Sequence, residues 1–276
     1  DERKFGHQLM SSTVYFLNPR SGTAPGCLSI TKSEEEDTGN NILGGVFLER
    51  NTYIFFLFPI RDHCNRLFGR CLMIYLDNAA TSFPKPQCTA EAVYNYLLRT
   101  GANPGRSAHG MSVDAARIVY ETREAVNTFF GGPDPLRVIF TMNATYGINM
   151  VLKGLLKPGD RVVTTGMEHN AVMRPLRSLE TEGVEVRVVL CSKNGVLDSS
   201  DLREALEDKT DLLVMSAASN VTGTIMPVRE AGRISRDRGV PFLVDTAQAG
   251  GVLPINMEDD CIDFLAFTGH KSLYGP

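Results

Sequence analysis

From Met73 onward the chain alternates between two rhythms. Short apolar runs rich in β-branched residues stand at Arg137–Thr141, Arg161–Thr165, Glu185–Leu190, Leu212–Ser216, Pro241–Asp245 and Ile262–Phe267. Between them, apolar residues recur at helical spacing over Tyr146–Leu156, Ala171–Glu182, Ser200–Glu207 and Val228–Arg238. Two further helix-period segments, Gln87–Thr100 and Val113–Phe130, precede the first strand. Strands alternating with helices at this spacing require crossover connections. The pattern therefore predicts an α/β domain with a mainly parallel sheet and helices on both faces. Ligands of such sheets sit beyond the carboxyl ends of the strands, which is where the polar loops of this chain fall.

Residues 1–72 are different material. Pro19–Gly26 and Glu34–Asn41 carry the proline, glycine and charge signals of loops or disorder, and the apolar pieces are short. This stretch reads as an N-terminal extension of unknown fold, poorly ordered and dispensable for ligand binding; a small appended domain is the other reading. Met73 would serve as a natural start. The aromatic run Tyr53–Ile60 is too short to cross a bilayer and contains a proline, so it reads as a strand.

Bulk numbers narrow the partners. At 276 residues the chain holds one large domain or two modest ones, and 43% hydrophobic content is ordinary for a globular protein. A formal net charge of −4 argues against a nucleic-acid partner built on bulk charge. The six cysteines, Cys27, Cys64, Cys71, Cys88, Cys191 and Cys261, lack zinc or CxxC spacing. They read as reduced thiols of a cytoplasmic protein with no metal site and no membrane anchor. The start, Asp1–His7, has no signal-peptide apolar core.

Chemistry gathers at five strand ends. Thr141–Asn149 runs from a strand straight into a helix. Ala144 keeps the helix N-terminus open to a phosphate and Thr145 adds a hydroxyl, although Thr145 equally reads as part of a simple cap. In Thr165–Asn170, His169 could stack on an aromatic ligand and move protons near neutral pH, or merely cap the next helix. In Ser216–Gly223, Asn220 is either a donor to a phenolate or carboxylate oxygen or a turn residue. In Asp245–Gln248, the acid follows Pro-Phe-Leu-Val and is costly to bury without a cationic partner; Gln248 lies three residues on. In Thr268–Lys271, Thr268 and His270 flank a lysine just past a buried strand.

An acid and a lysine on consecutive strand ends, with phosphate-type loops beside them, suit pyridoxal 5'-phosphate. The lysine would form the Schiff base and the acid would hold the protonated pyridine nitrogen. No GxGxxG follows a strand, which sets a dinucleotide fold aside.

At these residues the chain resembles the class V aminotransferase family of fold-type I pyridoxal-phosphate enzymes, and within it most nearly the cysteine desulfurases and selenocysteine lyases. The likeness covers about residues 73–276. It rests on Tyr75–Thr81, Asn103–His109, Asn143–Thr145, Glu168-His169, Ser219-Asn220, Asp245–Gln248 and Gly269–Lys271.

The resemblance implies that Lys271 is the Schiff-base lysine and the base that moves the substrate Cα proton. It makes His169 the ring-stacking residue with a proton-transfer role, Asp245 the pyridine-nitrogen partner and Gln248 the phenolate contact. Ala144, Thr145, Thr268 and His270 become the phosphate cradle, and Asn220 a cofactor or substrate contact. Asn78–Thr81 resembles a segment that lies over the substrate.

The implied reaction converts L-cysteine to L-alanine and leaves the sulfur as an enzyme persulfide, with a sulfur-acceptor protein downstream and a homodimeric assembly. Selenocysteine lyase, a class V aminotransferase acting on another amino acid, and a non-catalytic scaffold with the same fold are the alternatives. The family's nucleophilic cysteine and its substrate-binding arginine lie C-terminal to the lysine. This sequence stops at Pro276, so the expectation is a large domain lacking its small C-terminal domain and inactive alone. Cys191 and Cys261 read as structural.

Overall fold

The computed structural model describes residues 13–16, 74–105 and 108–276. Residues 77–276 with the first strand form one compact unit, and residues 21–76 fall to a second, of which only 74–76 are described. The run Tyr53–Ile60, the loop signals at Pro19–Gly26 and Glu34–Asn41, three of the cysteines (Cys27, Cys64, Cys71) and two residues of the Asn103–His109 motif lie outside the described residues.

Among the described residues seven strands make one sheet: β1 Thr13–Phe16, β2 Val138–Phe140, β3 Arg161–Thr165, β4 Glu185–Val189, β5 Leu212–Ser216, β6 Phe242–Asp245 and β7 Phe264–Phe267. Their spatial order is β2-β1-β7-β6-β5-β3-β4. The run β4-β3-β5-β6-β7 is parallel throughout. Strand β1 is antiparallel to both of its neighbours, β2 and β7. The mainly parallel sheet predicted from the sequence is therefore present. The position of β1 was not predicted, because nothing local in Thr13–Phe16 says which edges it will fill.

Among the described residues six α-helices accompany the strands: α1 Gln87–Arg99, α2 Gly110–Phe129, α3 Ala144–Leu155, α4 Asn170–Thr181, α5 Ser199–Ala205 and α6 Val228–Arg238. Each lies within a few residues of its predicted span. Helix α6 shows why. Val228, Ala231, Gly232, Ile234 and Ser235 are buried along one stripe, Glu230 sits in the first turn, and Arg236 and Arg238 sit in the last. The helix stops at Gly239, whose φ of 72° is left-handed and favours glycine.

The two faces of the sheet are separated by strand alternation. Along β5, Leu212 and Val214 join one buried cluster while Leu213 and Met215 join the other. The first cluster takes Ile148, Val151 and Leu152 of α3 and Val172, Leu176 and Leu179 of α4. The second takes Val126 of α2, Leu202 and Ala205 of α5, and Val228, Ala231 and Ile234 of α6. Phe267, fully buried at the end of β7, packs against Phe130 with ring centroids 4.9 Å apart. That contact anchors the strand from which the Lys271 loop departs. Among the described residues no helix is long and apolar enough to cross a membrane.

Candidate active site

One cleft opens at the carboxyl ends of the parallel strands. Asn143, Ala144, Thr145, Met167, His169, Ala171, Ser216, Ala218, Asn220, Asp245, Ala247, Gln248, Thr268, His270 and Lys271 line it. All nine residues singled out at the five strand ends (Ala144, Thr145, His169, Asn220, Asp245, Gln248, Thr268, His270 and Lys271) are among them. Strand register explains the convergence: Ser216 pairs with Asp245 and Asp245 with Ala266, so the ends of β5, β6 and β7 stand level.

Helix α3 begins at the cleft wall. Its cap is Asn143, whose Oδ1 accepts from the Tyr146 N–H at 2.7 Å. Thr145 therefore does not cap the helix. It lines the cleft beside Ala144, in a first turn whose N–H groups point along the positive end of the helix dipole.

His169 is both the cap of α4 and a cleft residue. Its Nδ1 accepts from the Ala171 N–H at 3.0 Å. An Nδ1 used as acceptor places the neutral ring's proton on Nε2, so the bond that orients the ring also sets its tautomer. The residue before it, Glu168, carries no local mark of a role in the sequence. Glu168 Oε1 accepts from Thr165 Oγ1 at 2.6 Å, and Oε2 accepts from both the N–H and the Oγ of Ser216 at 2.8 Å. Glu168 as a whole residue is part-exposed, but its carboxylate is enclosed. Burial pushes its pKa up to about 7 against the pull of these bonds, and nearby Asp245 pushes the same way.

Asp245 is 5% exposed and accepts from the Ala247 N–H at 2.9 Å. Thr246 pins the strand end by giving both its N–H and its hydroxyl to Ala266 O. Burial raises the Asp245 pKa, while His169 and Lys271 pull it down. Lys271 shows the reverse: burial lowers its pKa and Asp245 opposes the shift. A buried acid and a desolvated lysine thus share one cleft. Burial, Lys271 and Lys85 together hold the His270 imidazole below the ordinary histidine value.

The segment following Asp77 closes one side. Thr81 Oγ1, Ser82 N, Ser82 Oγ and Lys85 Nζ all donate to a single acceptor, the backbone carbonyl of His270. Lys85 Nζ also donates to Ser82 Oγ at 2.9 Å, and His270 Nδ1 lies 3.1 Å from Thr81 Oγ1. Gln248 Nε2 donates to Ala79 O at 3.0 Å, so the strap and the cleft residues are tied together. Sequence reading placed Asn78–Thr81 near the site only through resemblance. Bonds between residues nearly two hundred positions apart leave no local signal.

Residues 74–276 match the aminotransferase class-V family model. The chain belongs to the class V aminotransferase family. It is 37% identical over 218 residues to a probable cysteine desulfurase of Methanothermobacter thermautotrophicus, covering 79% of this chain and 52% of that protein. Among solved structures it resembles the apo cysteine desulfurase of Thermococcus onnurineus NA1, with a TM-score of 0.70 and 36% identity over 74% of this chain and 51% of that one. It also resembles SspA in complex with cysteine, with a TM-score of 0.68 and 27% identity over 74% and 59% of the two chains. The chain spans about half the length of the curated relatives it matches.

Pyridoxal phosphate is the cofactor of this enzyme family, and the cleft has the chemistry to hold it. Asp245 is a buried carboxylate in need of a cation, as a protonated pyridine nitrogen would be. The opening turn of α3 with Thr268 and His270 suits a phosphate. Lys271 is the desolvated amine.

Proposed function

We propose that this chain carries the cofactor-binding part of a pyridoxal-phosphate-dependent cysteine desulfurase, which converts L-cysteine to L-alanine and passes the sulfur to an enzyme persulfide. The observation that carries the proposal is the joint placement of Lys271, Asp245 and His169 in one cleft beside an open helix N-terminus. The 34–37% identity to proteins named cysteine desulfurase supports the choice of substrate.

The roles follow from the environments. Ala144, Thr145, Thr268 and His270 would hold the phosphate. Asp245 would face the pyridine nitrogen, Gln248 would contact the phenolate oxygen, and Asn220 would contact the cofactor or the substrate. The bound cofactor would supply an electron sink for the substrate's Cα carbanion. Lys271, its pKa lowered by burial, has more of the neutral amine near physiological pH than a free lysine. That is the form needed both to bond an aldehyde and to take a Cα proton. His169, with its own proton on Nε2, would be a proton donor to the bound cofactor or substrate.

The thiol that accepts sulfur is not assigned to a described residue. Cys88, Cys191 and Cys261 are free thiols, and none lines the cleft. Burial raises the pKa of Cys191 and of Cys261, which opposes thiolate formation. The reading extends to residues 73–276 as the family's large domain, residues 1–72 as an N-terminal extension that lends strand β1 to its sheet, a homodimeric assembly, a sulfur-acceptor protein and a cytoplasmic setting, where free thiols are the normal state. The test is cofactor capture. Protein incubated with pyridoxal phosphate, reduced with borohydride and digested should carry the label on Lys271, and adding L-cysteine to the loaded full-length protein should release alanine. Label distributed over surface lysines would overturn the proposal.

A further inference from the structure

The ladder between β3 and β5 pairs Val162 with Leu212 and Val163 with Leu213, and no further. Beyond that point the strand ends part, and the cleft residues Met167, His169, Ser216 and Ala218 stand around the opening. The Ser216 N–H faces this gap with no β3 carbonyl opposite. It is met by Glu168 Oε2 at 2.8 Å, which also takes the Ser216 hydroxyl, while Oε1 takes the Thr165 hydroxyl at the end of β3. Three donors from two diverging strands thus converge on one carboxylate, a group that only accepts when ionised. Its neighbour in the chain is His169.

We infer that Glu168 is a positioning residue: its carboxylate replaces the missing rungs between β3 and β5 and thereby sets where His169 stands over the cofactor. The inference rests on the pyridoxal-phosphate reading of the cleft. Burial opposes the ionisation of this carboxylate, yet its three bonds all go to the two strand ends that flank the loop.

Gln and Ala separate the anchor from the charge. A glutamine can accept both Ser216 donors on its carbonyl oxygen and turn its amide toward Thr165 Oγ1, so Glu168→Gln keeps the tie without the charge. Glu168→Ala keeps neither.

The readouts are the affinity for pyridoxal phosphate, taken from the absorption band of the lysine-bound cofactor, and the circular dichroism of that band, which reports ring orientation. Glu168→Ala should weaken affinity about tenfold, the loss expected when a charge-assisted tie goes, and should diminish the dichroic band. Glu168→Gln should stay within about twofold. The effects of Glu168→Ala and His169→Ala should be non-additive, the second adding little once the first is made. If the alanine variant does not fold, Ser216→Ala, which removes one of the three donors, should give a smaller shift in the same direction.

A wild-type protein with no such band overturns the cofactor reading and this inference with it. A wild-type band unchanged in both Glu168→Ala and Ser216→Ala overturns this inference alone, as do strictly additive Glu168 and His169 effects.

Discussion

Replacing Gly232 with alanine should destabilise this protein, although the usual rule for a helix interior predicts the opposite. Gly232 lies inside α6. A glycine-to-alanine change there ordinarily gains about 1 kcal/mol from backbone entropy. Here an added Cβ would overlap the carbonyl oxygen of Asp260 outright, and would stand 3.0 Å from its carbonyl carbon and 3.2 Å from the Cβ of Cys261. The obstacle is backbone and cannot swing aside.

Nor can the turn retreat freely. Asp260 is 4% exposed, its Oδ1 accepts from Arg229 Nε at 2.8 Å, and its Oδ2 accepts from the Asn256 N–H at 3.0 Å. Overpacking of this kind costs about 1–3 kcal/mol, and disturbing one of the Asp260 bonds adds about 1 kcal/mol. Set against the propensity gain, the net loss is about 2 kcal/mol, or a fall of roughly 4–8 °C in Tm for a domain of this size.

The assay is thermal unfolding followed by circular dichroism. Gly154→Ala in α3, where an added Cβ meets nothing within 4 Å, is the control and should raise Tm slightly. A Gly232→Ala protein melting at or above wild type would refute the packing of α6 on the Asp260 turn.

Lys271→Ala should abolish borohydride-stable attachment of pyridoxal phosphate; a trapped adduct at wild-type yield would show that another lysine is the anchor. Glu168 has a folded-state pKa raised from 4.5 to about 7. The folded protein therefore holds more protons than the unfolded chain in that window, and stability should decline as pH rises through it. Denaturant titrations across the window should show a shallower decline for Glu168→Gln, and identical slopes would sink the assignment. Lys85→Met removes a charged donor from the His270 carbonyl, so unfolding free energy should drop by about 1 kcal/mol, with no change if the strap is held by Thr81 and Ser82 alone. Removing residues 1–72 takes away β1, which bonds on both sides. Tm should fall, while capture of the cofactor on Lys271 persists because none of the segment's described residues lines the cleft; loss of capture would place the segment within the functional fold.

Much of the site was legible because its residues are marked locally. Asp245 and Lys271 stand out as polar groups directly after buried apolar runs, and His169 and Thr145 stand at strand-to-helix turns. Local rules also locate the helices, as the buried stripe and Gly239 stop of α6 show. Two readings that were left open in the sequence turned out to be compatible: His169 caps α4 through Nδ1 and lines the cleft as well. Glu168 was missed because its significance lies in Ser216, 48 residues away. The four donors on the His270 carbonyl were missed for the same reason. A backbone acceptor is common to every residue, so nothing in the letters distinguishes this one.

The order of hydrophobic and polar residues from residue 73 onward was enough to specify the architecture in kind: which segments are strands, which are helices, and that polar loops would meet at one edge of a parallel sheet. These are consequences of periodicity and of the cost of burying unpaired backbone, and both act within a few residues. Which strands become neighbours, where β1 inserts, how far β3 and β5 stay paired, and whether Gly232 has room for a methyl group were decided by the folded chain. Those outcomes depend on contacts between distant segments, and their energies exist only once the sheet has closed around its two cores.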